Sequence, residues 1–289
     1  MNMKMTWAAV AAVGMLLAGC TQKGSDEPFE VKTFSAQDST KYALTEIEID
    51  YPVAGPQVLV DSVLNWLNES LGGSFSRLED GQAMVDFYQK QSDEELKSEW
   101  DEIRADMEVD ADDEESLFSI PSEGRDALKL AWQNDLFVTY DHAFSTYHTG
   151  AAHGIEGCFG TTFIKQDGSR VTWADIVNTD SEDFQTILRE GLKSYLDVET
   201  DADLADQLFL NEDHTVYNIP LPNMEPCVRA EGIEFYYTEY EVASYSCGTP
   251  SFIVPVSRMM PFLSERLKKL FGDQTDAKDE GFTHRTEMF

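Results

Sequence analysis

Residues 136–148 read Leu-Phe-Val-Thr-Tyr-Asp-His-Ala-Phe-Ser-Thr-Tyr-His, an alternation that places Leu136, Val138, Tyr140, His142, Phe144, Thr146 and His148 on one face. A period of two sustained over this length is a long β-strand. Just upstream, Leu128, Leu130 and Trp132 alternate in the same way, and Gln133-Asn134-Asp135 between the two runs reads as a turn. Downstream, a further strand over 155–165 ends at Asp167-Gly168, a strong hairpin signal. The centre of the chain is therefore a set of antiparallel hairpins.

Working outward, Thr45, Ile47, Ile49 and Tyr51 share a face in a half-buried strand, which Pro52 and Gly55-Pro56 are expected to stop. Val60, Val63, Leu64, Leu67 and Leu71 then recur at helical spacing, and Gly72-Gly73 ends that helix. Residues 82–107 carry more helix, with Met84, Phe87 and Tyr88 in one cluster and Leu96, Trp100, Ile103 and Met107 in another. Ser92 and Glu95 have capping-box spacing, which predicts a break near residue 91. Residues 108–115 hold six acids and read as a solvated loop.

Beyond the hairpins, Thr172 and Asp175 predict a capped short helix, and Phe184, Ile187, Leu188, Leu192 and Tyr195 an amphipathic one. A shorter helix near 203–210, strands near 232–237 and 251–255, and a closing helix over 258–271 follow. Strand, helices, strands, helices, strands, helix, with hairpins dominating, is an α+β order: antiparallel sheets with packed helices.

The first twenty residues decide the compartment. Lys4 gives a short positive region, and Trp7 to Leu17 an apolar run too short for a permanent membrane span. Leu17-Ala18-Gly19-Cys20 has the lipobox pattern of bacterial lipoproteins, so residues 1–19 are expected to be cleaved and Cys20 to be lipidated. Two or more acyl chains at one residue anchor stably where one would not. The polar run Thr21 to Pro28 reads as a tether, and its Ser-Asp-Glu segment resembles the acidic export signal of surface lipoproteins. The expected location is the cell envelope, on the outer membrane, facing either the periplasm or the surface.

Losing residues 1–19 removes one lysine and no acid, which leaves 20 basic against 54 acidic residues, a formal −34. That balance excludes a nucleic-acid partner, which needs a basic footprint, and disfavours anionic lipid as an electrostatic partner. The membrane contact is the lipid at Cys20. With 42% apolar residues, including 17 Phe, 11 Tyr and 5 Trp, the chain can build a substantial core. Besides Cys20 there are Cys158, Cys227 and Cys247, with no CxxC. Export permits a disulfide. Cys227 and Cys247, which flank the strand region 232–245, form the candidate bridge, and two buried reduced thiols are the alternative.

The stretch Tyr147-His148-Thr149-Gly150-Ala151-Ala152-His153-Gly154 resembles the Tyr-x-x-Gly-Gly-Ala-His-Gly signature of the RsiV/PdaC-like extracytoplasmic domains, whose C-terminal part is domain of unknown function 3298. These domains occur in a lysozyme-sensing anti-sigma factor and beside the catalytic domain of a peptidoglycan deacetylase. Ala151 departs from the expected second glycine. The segment Gln166 to Val177, then Phe235-Tyr236-Tyr237, Tyr240-Glu241-Val242-Ala243-Ser244-Tyr245, Gly248 and Val254-Pro255 follow the family's order, with Ser244 in place of a proline. Upstream, Ile47 to Pro52 and the helix with Asn65 look like the family's N-terminal half. The resemblance covers about 42–270.

The lipobox and the polar run after it predict a signal peptide over 1–19 and a lipidated tether over 20–40, the lack of a core pattern predicts a disordered tail over 272–289, and the resemblance implies a PdaC-like α/β half over 41–135 and an RsiV-like domain over 136–271. It also implies binding candidates at Tyr147, Gly150, His153, Gly154, Tyr240 and Glu241. His153, set between small residues, is expected to pack with a ring nitrogen bonded to backbone, and Tyr240 and Glu241 to satisfy the same junction.

No Gly-x-Ser-x-Gly, P-loop or HExxH motif is present, and the acidic loop lacks the glycine and final glutamate of an EF-hand. No metal and no cofactor is expected. The reading that remains is a lipid-anchored binding module for a protein or a cell-wall glycan. Within a family that includes a lysozyme sensor, the protein would be a basic, lysozyme-like one, steered by the acids and docked beside the Tyr147–Gly154 turn. The alternative is an envelope-glycan hydrolase or deacetylase.

Overall fold

The computed structural model describes residues 27–106, 121–210, 215–272 and 281–284. Its first sheet has five strands in the order β1 (Glu30–Ser39), β2 (Ala43–Ala54), β3 (Ser122–Gln133), β4 (Phe137–Tyr147) and β5 (Ile155–Ile164). Neighbours run antiparallel except β2 and β3, which are parallel. A parallel pair needs a crossover, and helices α1 (Gln57–Ser70) and α2 (Gly81–Asp106) lie within it. Strands β2 to β5 deliver Ile47, Ile49, Leu128, Val138, Tyr140 and Phe163 to the helix-covered face, where they meet Leu59, Val63, Trp66 and Met84. Trp66 packs edge-on against both Tyr140 and Phe163.

The opposite face of β4 points at a second sheet, β6 (Cys227–Val228), β7 (Ile233–Tyr236) and β8 (Ser251–Val254), antiparallel in that order. Helices α3 (Glu182–Leu196) and α4 (Asp201–Gln207), the short α5 (Val256–Met259) and α6 (Glu265–Phe271) contribute to its core. Trp173 stacks on Phe235 at an interplanar angle of 10°, and Phe184 packs edge-on against Phe235. Thr172 N–H donates to Asp175 Oδ2 at 3.2 Å, which caps the short helical turn as expected.

The seam between the sheets is polar and tightly held. Thr139 hydroxyl donates to Val228 O at 2.7 Å, and Val228 N–H donates to Thr162 at 2.8 Å. Arg229 donates to Asp141 at 2.6 Å and to Glu234 at 2.7 Å, and all three are buried. Burial works against the Arg229 charge, but Cys227, Glu234 and Asp141 outweigh it and hold the guanidinium protonated well above its ordinary range. Gly160, paired with Asp141 across β4–β5, makes room for this cluster: a Cβ there would lie 2.5 Å from Cys227 Sγ and 2.6 Å from Arg229 Nη2.

The α+β class stands, with one parallel pair among the antiparallel ones. Several boundaries move. The expected tether over 20–40 includes β1, which pairs along β2 as an edge strand and was hidden because most of its side chains are exposed. A division at 135/136 would cut the β3–β4 hairpin, so the first structural unit runs through β5. The tail beyond 272 is ordered over 281–284, where Thr283 and Ile253 exchange backbone hydrogen bonds and Phe282 packs on Phe252. Helix α2 does not break near 91, because Gln91–Glu95 and Lys90–Glu94 contacts at i,i+4 carry it through. The closing helix is divided, because Pro261 interrupts it and Ser264 caps a new start by accepting from Leu267 N–H. Strand β2 continues through Pro52 to Ala54.

Candidate functional site

β4 ends at Tyr147, and the turn to β5 is pinned from beneath. Thr149 is buried, its N–H donating to Ser122 Oγ at 2.9 Å, and Ala151 N–H donates to His148 O at 2.9 Å. Gly150 has φ +85°, a left-handed backbone that favours glycine, and Gly154 lies so close to the Thr146 carbonyl that a Cβ would come within 2.8 Å of it. This geometry throws His153 outward. The ring does bond backbone as expected, Nδ1 to Gly154 O at 2.9 Å, but it is exposed rather than packed inside. A carbonyl can only accept, so Nδ1 carries the proton. Nε2 is then free to accept from the Tyr240 hydroxyl at 3.3 Å.

Tyr240 and Tyr245 come from the loop between β7 and β8. His153 stacks on Tyr245 with centroids 4.1 Å apart at 27°, and Tyr240 stacks on Tyr245 at 5.8 Å and 29°. Tyr240 is 52% exposed and Tyr245 38%. The three rings form an outward-facing aromatic ledge. Tyr240 sits at φ +60°, a conformation an aromatic residue rarely adopts and one that costs roughly 1–3 kcal/mol. Glu241 holds it there. One carboxylate oxygen accepts the Thr238 N–H at 2.7 Å and the Thr238 hydroxyl at 2.9 Å, and the other accepts Asn223 N–H at 2.6 Å. Glu241 is thus a positioning residue. Tyr147 is half-buried at the end of β4.

Beside the ledge lies a groove of about 530 Å³ on the face of the first sheet away from α1 and α2. Its floor is Glu46 and Glu48 of β2, Arg125 and Lys129 of β3, Ser145 of β4 and Glu156 of β5, and its far wall is Tyr195, Glu239, Gly248 and Thr249. Glu239 precedes Tyr240 in the chain and Glu156 follows Gly154 closely, which puts the ledge at the groove's rim. Lys129 Nζ is paired with Glu48 at 2.6 Å and with Asp50 at 3.1 Å. Burial lowers the Lys129 ammonium, and hydrogen bonds to Glu48 and Asp50 more than offset this, for a net upward shift.

The structure therefore gathers His153, Gly154, Tyr240 and Glu241 at one place and assigns them different tasks. The sequence reading missed Tyr245 and the whole groove floor. The acidic loop 108–115, like Cys20, lies outside the described residues. The candidate Cys227–Cys247 bridge is corrected. Neither cysteine is in a disulfide: Cys227 Sγ lies within 3.2 Å of Glu234 in the seam, and Cys247 Sγ within 3.5 Å of Ser244 and 3.7 Å of Gln207. Among the described residues no group of three or more His, Cys, Asp or Glu is placed to hold a metal ion, and no helix is long and apolar enough to cross a membrane.

Residues 174–257 match the family model described as a protein of unknown function, DUF3298. That segment holds α3, α4 and the second sheet, including Tyr240 and Tyr245, while the Tyr147–Gly154 turn precedes it. No curated protein matches the chain. Among solved structures, the fold is similar to a DUF3298 family member from Bacteroides fragilis, with TM-score 0.57 and 18% identity over 84% of this chain and 95% of that one. It is also similar to a DUF3298 family protein from Pseudomonas aeruginosa, with TM-score 0.53 and 16% identity over 84% of this chain and 97% of that one. At these identities the likeness is one of fold.

Proposed function

We propose that the protein is a lipid-anchored, RsiV/PdaC-like module of the cell envelope that binds a cell-wall glycan along the groove, with the His153–Tyr240–Tyr245 ledge as its platform. The ledge carries this reading. Three stacked, exposed rings offer a flat apolar surface with polar tips, the complement of a sugar ring with its apolar face and hydroxyl rim. A concave site lined by a few polar groups beside such a surface is the usual form of a ligand site. An aromatic held at positive φ by Glu241 is pre-organised, which lowers the cost of binding.

The lipobox at Cys20 and the sheet's polarity support the placement. The chain enters the sheet at Glu30, at the end that also holds Ala54, Gln133 and Phe137. His153 lies at the opposite end, beyond Tyr147 and Ile155. At about 3.3 Å per residue, a strand as long as β4 separates the two ends by roughly 35 Å. A chain anchored through Cys20 would carry the ledge on the side away from the membrane.

A second reading, an envelope-glycan hydrolase or deacetylase, draws on Glu156 and Glu239, two carboxylates lining the same groove. The two readings separate in one experiment. The protein is incubated with purified peptidoglycan sacculi, and both co-sedimentation and released products are measured. The binding reading expects saturable co-sedimentation, lost in Tyr240→Ala, with no products. Products that disappear in Glu239→Gln would establish the enzyme instead.

A further inference from the structure

We infer that the groove is a row of sugar subsites running across the strands, so that the site takes a linear β-1,4-linked glycan chain of about four sugars rather than a single sugar or a peptide. This rests on the glycan reading above and narrows it. The strand registers give the direction. Glu46 is paired with Arg125, Arg125 with Ser145 and Ser145 with Glu156, so these lining residues stand in one line across β2, β3, β4 and β5. Partners directly opposite each other share a face of the sheet. Beside this rail Ala127 and Ala143 are also paired, and their short side chains keep the floor low alongside it. The rail ends at the ledge: Glu156 N–H reaches Glu239 Oε1 at 3.5 Å, and Tyr240 is the next residue.

Spacing matches this ligand to the row. Neighbouring strands lie about 4.8 Å apart, so a rail crossing from β2 to β5 spans roughly 14 Å. Successive sugars of a β-1,4-linked chain advance by close to one such interval, so about three sugars cover the rail and a further one reaches the ledge. An extended peptide advances about 3.3 Å per residue and falls out of step. The volume of about 530 Å³ is far more than one sugar ring fills. The chemistry of the rail agrees. It offers acceptors at Glu46 and Glu156, donors at Arg125, and at Ser145 a hydroxyl that does both. Sugar hydroxyls also donate and accept, so one edge of the chain can serve every position. Arg125 pairs with Glu123 at 3.4 Å, which leaves most of the guanidinium N–H donors to a ligand. Lys129, by contrast, is held by Glu48 and Asp50.

The test uses the purified full-length protein in detergent and a series of β-1,4-linked N-acetylglucosamine oligomers, from the single sugar to the hexasaccharide. Affinity is measured by calorimetry. We expect it to rise about tenfold or more from the disaccharide to the tetrasaccharide, as each added sugar brings hydrogen bonds of its own, and to level off beyond that length. Arg125→Ala should cut this gain, and Ala143→Leu, which raises the floor, should remove it, with thermal melting confirming that each variant is folded. Arg125 is exposed, so its variant decides the matter where Ala143→Leu does not fold. A disaccharide that binds as tightly as the tetrasaccharide, or a gain unchanged in the folded variants, would overturn the inference and leave the glycan reading standing. So would peptidoglycan sacculi that co-sediment with the protein while no oligomer binds. Failure of oligomers and sacculi alike would overturn both.

Discussion

Glu241 binds Thr238 twice through one carboxylate oxygen, to the N–H at 2.7 Å and to the hydroxyl at 2.9 Å, and so closes the turn that carries Tyr240. The ledge therefore depends on a residue that the ligand need not touch. In Glu241→Gln the charge-assisted part of these bonds is lost. The expected outcome is a drop in stability of about 1–2 kcal/mol by denaturant titration, together with weaker glycan binding. Unchanged binding with reduced stability would show that Tyr240 needs no such support.

The seam gives a sharper stability test. Gly160→Ala puts a methyl group where Cys227 Sγ and Arg229 Nη2 already lie, so the variant must displace a buried ion pair. We expect a loss of about 1–3 kcal/mol from overpacking. Arg229→Ala, which removes the cation shared by the buried Asp141 and Glu234, should cost about 3–5 kcal/mol. A wild-type melting temperature in either variant would mean that the two sheets are not held by this cluster.

The turn after β5 responds to acid. Burial raises the Asp167 carboxyl, but the Ser169 hydroxyl and N–H and the nearby Arg266 outweigh it and hold Asp167 below its ordinary value. A depressed folded-state pKa means stability that is present above the unfolded value, about 3.9, and lost as pH falls through the folded one. The difference in stability between the wild type and Asp167→Asn should be constant near neutrality and shrink below about pH 4. A difference that widens with acid would reverse the assignment.

The thiols and the anchor are checked by mass. Unfolding in an alkylating reagent without reductant should label Cys158, Cys227 and Cys247 alike, and a peptide joining Cys227 to Cys247 would contradict the absence of a disulfide. Cys20→Ser should abolish palmitate incorporation and release the chain from membranes. Labelled palmitate in that variant would remove the lipobox reading.

Periodicity made the central hairpins and the amphipathic helices legible. Val138 and Tyr140 do face the helices, and Phe184, Ile187, Leu188 and Leu192 do fill one core. Strand β1 was not legible, because an edge strand pairs through its backbone and leaves Lys32, Thr33 and Ser35 exposed. The groove was hidden for a related reason. Glu46 and Glu48 alternate with the core residues Ile47 and Ile49, and only the fold brings Glu239, Gly248 and Thr249 over their face. Tyr245 closes the Tyr240–Tyr245 motif, but nothing in the sequence marks it as a binding candidate. Its role arises because the Gly150–Gly154 turn delivers His153 onto it, a meeting set by two distant loops.

Glycan binding at the ledge and the groove can be read residue by residue in an amide-resolved NMR titration with soluble peptidoglycan fragments. Such binding should give saturable shifts concentrated at His153, Glu156, Glu239, Tyr240 and Tyr245, lost in Tyr240→Ala. Shifts confined to other surfaces, or no shifts at saturating ligand, would contradict it.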